Sequence, residues 1–409
     1  MPILTRRRAL ALTGTALATT ALATPALATP ALAQTKQAPG VTDTEFLIGQ
    51  TMPYSGPASS YAPIGKVEVA YFNMINEQGG INGRKVKLLS LDDGYSPPKT
   101  VEQTRKLVEE EGVACIFQQL GTPCATATRK YLNAKKVPQI FVASGATQFG
   151  DPQNYPWTIG WQVSYQIEGR VYARYILDTK PDAKIAVLFQ NDDSGKDFLK
   201  GFKDGLGDKV GQLVAATSYE PTDPTVDSQI VQLHASGADA LFMGGIPKFN
   251  AMTLRKVRDL GWNPLYVIAT VGSSVSSGLA PAGLDKAVGL VTGAYMKDPS
   301  DPQWKDDPGF KDWLAFMQKY MPGADLADIN NVYGYCAAQT GVQVFKQCGQ
   351  DLSRENIMRQ ATNLHITLPM FQTGIDYHTT PTDYLGIKRL RLQRFDGKAW
   401  VPFGDPMSA

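Results

Sequence analysis

The residue types that most often carry catalysis and metal binding are scarce in this chain. Its 409 residues contain three histidines, His234, His365 and His378, and four cysteines, and none stands at metal-ligand spacing. No glycine-flanked serine elbow and no phosphate-binding loop occurs, so no cofactor or metal is implied and no catalytic pattern rises from the background. Asp92-Asp93 sits at a strand end, where adjacent residues point to opposite faces, so capping or surface duty suits the pair better than paired acid-base work. Charges of both signs are scattered with no basic cluster, which implies neither nucleic acid nor an anionic membrane surface as a partner. No uninterrupted apolar run of the length of a membrane span is present, because Thr24-Pro25 and Thr29-Pro30 break the only long apolar stretch.

That stretch follows Thr5-Arg6-Arg7-Arg8-Ala9-Leu10, holds no acid, and ends in Ala31-Leu32-Ala33. It reads as an export signal cleaved after Ala33, with paired arginines suggesting the twin-arginine route to the periplasm. Removing residues 1–33 leaves 376 residues with 37 basic against 38 acidic side chains, so a formal charge of +2 becomes -1. This length allows two substantial cores. Export permits disulfides, yet Cys115 and Cys124 lie on a strand and the next helix, and Cys336 and Cys348 are too far apart along one helix. Four free thiols are expected, with a bridge between distant pairs left open.

Strand and helix patterns alternate, separated by turn signals, which predicts an α/β chain of mainly parallel sheets flanked by helices. A first series has strands at 45–52, 86–91, 113–117 and 139–142, with helices at 64–76 and 100–111. After a proline- and aromatic-rich connection near 151–161 a second series begins, with strands at 185–189, 213–218, 240–243 and 265–268. A strand-like segment at 288–295 precedes helices near 310–320, 331–347 and 354–363 that have no strands of their own and are expected to return to the first series. The tail 388–395 alternates with period two and suits an edge strand of the second series. Two lobes follow, residues 44–162 with 296–370 and residues 163–295 with 371–409, and several crossings between them make a hinge.

Two consecutive strand-to-helix junctions stand out. The first reads Leu120-Gly121-Thr122-Pro123 and the second Ala143-Ser144-Gly145-Ala146-Thr147, both at the carboxyl edge of one sheet, where open α/β sheets bind ligands. Free N–H groups at a helix start, with the helix dipole, favour a carboxylate or phosphate. Either junction alone serves equally well as an ordinary N-cap; two side by side, each with glycine for close approach, point to an anion site.

The runs Met52-Pro53-Tyr54-Ser55-Gly56-Pro57, Asn76-Glu77-Gln78-Gly79-Gly80-Ile81-Asn82-Gly83, Asp92-Asp93 and Ser144-Gly145-Ala146-Thr147 resemble leucine/isoleucine/valine-type periplasmic binding proteins over most of residues 44–400. The resemblance implies a two-lobed type I fold with three hinge crossings, acting as a monomer that delivers a solute to the permease subunits of an ABC transporter. It places a carboxylate pocket on Thr122, Gly145, Ala146 and Thr147, with Tyr61 from the loop after the first strand. The second lobe departs from the amino-acid binders. Val271 falls near the glutamate that would hold an ammonium, and Ser194 and Ile246 stand where two tyrosines are usual. An ammonium buried without an anion costs several kcal/mol, so the expected solute keeps a carboxylate and lacks the amine unless another acid compensates. Tyr54, Tyr61, Trp161, Tyr165, Phe249 and Tyr295 suit an aromatic or branched acid, though any of them also serves ordinary packing. A ligand sensor with the same cleft, and more distantly a periplasmic amide or ester hydrolase, are the alternatives.

Overall fold

The computed structural model describes residues 38–408; the export signal expected at 1–33 lies outside the described residues. The first lobe is built on five parallel strands, β1 (Glu45–Met52), β2 (Lys85–Asp92), β3 (Ile116–Phe117), β4 (Gln139–Val142) and β5 (Thr158–Gly160), in the order β2-β1-β3-β4-β5. Helices α1 (Ala62–Glu77), α2 (Pro97–Arg105) and α3 (Thr122–Ala134) connect them. The strands of the second lobe are β6 (Ile185–Gln190), β7 (Leu213–Tyr219), β8 (Ala240–Gly244), β9 (Leu265–Ile268) and β10 (Val291–Ala294). They alternate with α4 (Tyr165–Thr179), α5 (Asp193–Leu206), α6 (Asp227–Ala235) and α7 (Pro247–Asp259). Then come α8 (Pro308–Tyr320), α9 (Ile329–Gln347), α10 (Arg354–Ala361), the small hairpin β11 (His365–Ile366) and β12 (Tyr377–His378), and finally β13 (Arg389–Phe395) and β14 (Trp400–Ser408). The second sheet runs β14-β13-β10-β9-β8-β6-β7, with β13 alone reversed and so antiparallel to both its neighbours, β10 and β14.

Continuous apolar runs such as Ala240-Leu241-Phe242-Met243 form strands buried on both faces because helices cover both sides of each sheet. The main core is continuous through both lobes, and a small satellite of Leu107, Val113, Ile116, Leu132 and Val137 fills the far face of the first sheet. Each such side chain contributes about 1.5–3 kcal/mol by leaving water. Among the described residues no helix is long and apolar enough to cross a membrane, and all four cysteines are free and buried.

Several boundaries differ from the sequence reading. The third strand is only two residues long, and β5 lies inside the segment read as a connection. The tail strand β13 is not the edge: β14 pairs beyond it, with Pro402 and Pro406 accommodated because an edge strand leaves one side of its backbone unpaired. At the start of α10 the Arg354 guanidinium donates to the carbonyls of Val113 and Ala114, just ahead of β3. Tyr377 and Tyr384 still donate to Gly160 and Pro156 of the first lobe, so the chain rejoins the second sheet only at β13.

The second junction is not a helix start. After β4 the chain makes a four-residue 3-10 turn, Thr147–Gly150, and β5 and the passage to the other lobe follow before α4 begins at Tyr165. A turn this short has no helix dipole to offer.

Candidate functional site

The loops leaving β3, β4, β6, β8, β9 and β10 meet the Tyr61 loop around a cavity of about 80 Å³ between the lobes. A buried water needs roughly 10–15 Å³ on such a measure, so the space holds about half a dozen waters or one compact organic solute. Residues singled out in the sequence line it: Tyr61 and Thr122 from the first lobe, Ser194, Ile246 and Val271 from the second. Tyr165 and Tyr295 line it as well.

The other candidates lie outside the lining. Tyr54 pairs its hydroxyl with Ser90 at 2.6 Å. Trp161 is fully buried at the hinge, edge-on to Tyr333 at 4.7 Å, with its indole N–H donating to Thr340. Phe249 is stacked on Tyr219 at 4.1 Å. The amide of Ala146 donates to Ser144 Oγ at 3.1 Å, and Thr147 directs its amide and hydroxyl at the Asp197 carboxylate, at 2.7 and 2.8 Å. Tyr165 covers Gly145: a Cβ there would fall 2.7 Å from two Tyr165 ring carbons and 2.3 Å from the Val163 carbonyl. Glycine at 145 thus permits the close approach of a protein side chain.

The first junction faces the cavity. Gly121 has φ of +100°, and a Cβ would strike the Tyr95 ring at 2.5 Å, so glycine is needed for both backbone and packing. Thr122 Oγ1 pairs with Ser144 Oγ at 2.6 Å. Across the cleft, Gly245 and Ile246 bring the start of α7 to the same space. Helices α4, α5, α8, α9 and α10 are capped by Ser164, Asp192, Asp307, Asp328 and Ser353, whereas α1, α2, α3 and α7 have no side-chain cap and no acid in the first turn, and of these α3 and α7 reach the cavity from opposite lobes. Each starts with proline at its first or second position. Two uncapped positive dipole ends therefore confront each other over the cavity.

The walls are aromatic, from Tyr61, Tyr95, Tyr165, Phe198, Tyr295 and Tyr333. Burial raises the tyrosines far above the ordinary phenol range, so all stay neutral hydrogen-bond donors. Gln162 ties two of them together, accepting from Tyr333 and donating to Tyr165, each at 3.1 Å. Gln393 on β13 is 3 % exposed, lines the cavity, and its Oε1 has no partner among the described residues. Among the described residues Asp298 is the one acidic lining residue, and no lysine, arginine or histidine joins it. Burial lifts its pKa to about 6, against the Ser300 hydroxyl and amide that favour its charged form. Behind Thr270, Glu168 accepts from the Thr270 amide at 2.6 Å and from Tyr172 at 2.8 Å, and burial still lifts it to about 7.

Asp298 and Gln393 escaped the sequence reading, because one lies in the passage between β10 and α8 and the other on a tail segment read only as an alternating edge strand. Tyr95 and Gln162 follow the ends of β2 and β5 and Gln190 closes β6, a position at a strand's carboxyl end that marks them, whereas Phe198 lies within α5 and carries no such signal.

The periplasmic binding protein family matches residues 45–398. Leu/Ile/Val-binding protein homolog 1 of Brucella abortus is 25 % identical over 318 residues, covering 76 % of this chain and 81 % of that one. A branched-chain amino acid ABC transporter protein from Thermus thermophilus with bound valine superposes with a TM-score of 0.80 at 17 % identity, covering 90 % of this chain and 98 % of that one. A solute-binding protein of an ABC transporter from R. palustris, in complex with 4-hydroxybenzoate, superposes with a TM-score of 0.75 at 19 % identity over 89 % of this chain and 97 % of that one. Sequence match, two mainly parallel sheets and cleft agree: the chain belongs to the periplasmic binding protein family, in the two-lobed type I form of its leucine/isoleucine/valine-binding members.

Proposed function

We propose that this chain is the monomeric periplasmic substrate-binding component of an ABC importer, exported by the signal at 1–33, and that it closes on a compact aromatic or branched carboxylic acid. The observation that carries this reading is the pair of uncapped, acid-free starts of α3 and α7 on opposite sides of an aromatic-walled cavity. An anion gains from both dipole ends, whereas an ammonium is opposed by both. The carboxylate belongs against the start of α3, where the Thr122 backbone N–H binds it without a cationic side chain; Gly121 allows the close approach while its own N–H is held by the Ala143 carbonyl at 3.2 Å, and the tyrosine faces take the rest of the solute. The valine-bound and 4-hydroxybenzoate-bound relatives each hold a carboxylate solute of this size. Ligand-driven closure then presents the joined lobes to permease subunits.

A second reading rests on Asp298. Its carboxyl borders the cavity and, when ionised, would partner the ammonium of an amino acid. Thermal-shift screening of the signal-free protein separates the two. With 4-hydroxybenzoate, phenylacetate and 4-methylpentanoate against phenylalanine, leucine and valine, the proposal expects the acids to give the larger stabilisation. A larger shift with the amino acids assigns Asp298 to the ammonium and overturns it.

A further inference from the structure

Thr147 and Asp197 make a contact that the solute cavity does not use. Thr147 belongs to the 3-10 turn after β4 of the first lobe, and Asp197 to α5 of the second. Asp197 Oδ2 receives both the Thr147 amide, at 2.7 Å, and the Thr147 hydroxyl, at 2.8 Å. The hydroxyl has one proton to give, and its acceptor side is satisfied by Ser164 Oγ at 2.8 Å. Ser164 in turn accepts from the Gln166 amide as the cap of α4, so its own proton is free for Thr147. The other carboxylate oxygen, Oδ1, receives Gln166 Nε2 at 2.6 Å. Each donor of this small constellation has an acceptor, and the central acceptor is ionic, the combination that makes hydrogen bonds strong.

We infer that Asp197 is an internal clasp: its carboxylate fills a two-donor seat on Thr147, holds the two lobes together, and keeps that seat from any solute carboxylate. The side chain after it, Phe198, lines the cavity and stacks on Tyr165 at 4.1 Å, so the clasp fixes one cavity wall as it joins the lobes. Gln148 Nε2 reaches Asp193 Oδ2 at 3.3 Å beside it and adds a weaker bond along the same seam. An open groove of about 350 Å³, lined by Ala146, Gln148, Asp193, Lys196, Asp197 and Lys200, brings solvent to the seat from outside the cavity. Small external carboxylates can therefore reach it once Asp197 is removed.

Small-angle scattering of the signal-free protein without added solute reads the clasp directly, independently of which solute the cavity takes. Asp197→Ala should increase the radius of gyration relative to the wild type, and millimolar acetate should return it while equal chloride does not. Thr147→Val, which removes one of the two donors and keeps the backbone N–H, should open the protein part of the way. The double variant should respond to acetate far less than Asp197→Ala, because only the backbone N–H of the two-donor seat remains. Asp197→Asn, which keeps the packing and weakens the acceptor, should lie between wild type and Asp197→Ala; it provides the comparison if the alanine variant does not fold. An unchanged radius in Asp197→Asn and Thr147→Val overturns the clasp. Failure of acetate to close Asp197→Ala, or equal closure of the double variant, overturns the carboxylate seat.

Discussion

Tyr61 and Val271 meet across the cleft, the tyrosine hydroxyl donating to the valine carbonyl at 2.9 Å over 210 residues of sequence. The bond joins the loop before α1 to the loop after β9, and both residues line the cavity. It belongs to the joined-lobe arrangement and is lost on opening. Tyr61→Phe removes it while keeping the ring, so solute affinity should fall by about 0.5–1.5 kcal/mol, roughly two- to tenfold, through a smaller closed population. Calorimetry with the best acid from the thermal screen measures this, and an unchanged dissociation constant removes the bond from the closure energetics.

A carboxylate placed at the start of α3 should compete with a carboxylate solute. Thr122 is the first residue of that helix, and an acid there favours the helix dipole by about 0.3–1 kcal/mol. Thr122→Asp should retain the circular dichroism spectrum of the wild type and bind acids at least about tenfold more weakly, since like charges in a low-dielectric cavity repel. Equal binding by the variant shows that the solute's charge lies elsewhere.

Asp298 gives the pH dependence of binding a predictable sign. Its pKa is raised to about 6, so it is mostly ionised at neutral pH and gains its proton just below. An anionic solute prefers the protonated neighbour, so acid binding should tighten, by up to about tenfold, between about pH 7.5 and about pH 5.5. Asp298→Asn should bind acids more tightly at neutral pH and show little of this dependence. An ammonium-bearing solute reverses both signs, which calorimetry across pH reveals.

Glu168 should govern part of the stability profile. A carboxyl raised in the folded state from 4.5 to about 7 contributes its full stability below the ordinary carboxyl range and loses it as pH rises through about 7. The unfolding midpoint should therefore fall between about pH 5 and about pH 8, and Glu168→Gln should flatten that slope. A slope unaffected by the substitution assigns it to other groups.

The architecture was legible because each sheet is covered on both faces, which turns strands such as β4 and β8 into unbroken apolar runs bounded by turn residues. β14 was not, because Pro402 and Pro406 mark a segment as non-strand unless it is known to lie at an edge, and that depends on the distant pairing with β13. Residues 143–147 have the composition of an anion loop, but a sequence does not say which donors are already engaged. The facing α5 supplies Asp197 to Thr147 and α4 lays Tyr165 over Gly145, both contacts of tertiary origin. Thr122 was found because it follows an apolar strand, and Ser194, Ile246 and Val271 because the resemblance carries them over by position; all four line the cavity because each lies beyond the end of a parallel strand. Gln393 belongs to an antiparallel strand paired with β10 and lines the cavity, and period-two alternation alone does not say which of its faces is covered.

The central claim is that two facing helix starts favour an anion while nothing in the cleft is committed to an ammonium. Titration calorimetry of matched pairs tests it most directly: 4-methylpentanoate against leucine, and 3-phenylpropanoate against phenylalanine, each pair differing only by the α-ammonium. The account predicts that the member without the amine binds at least about tenfold more tightly, or about 1.4 kcal/mol, in the pair whose skeleton fits the cavity. Equal affinities, or tighter binding of leucine or phenylalanine, would contradict it.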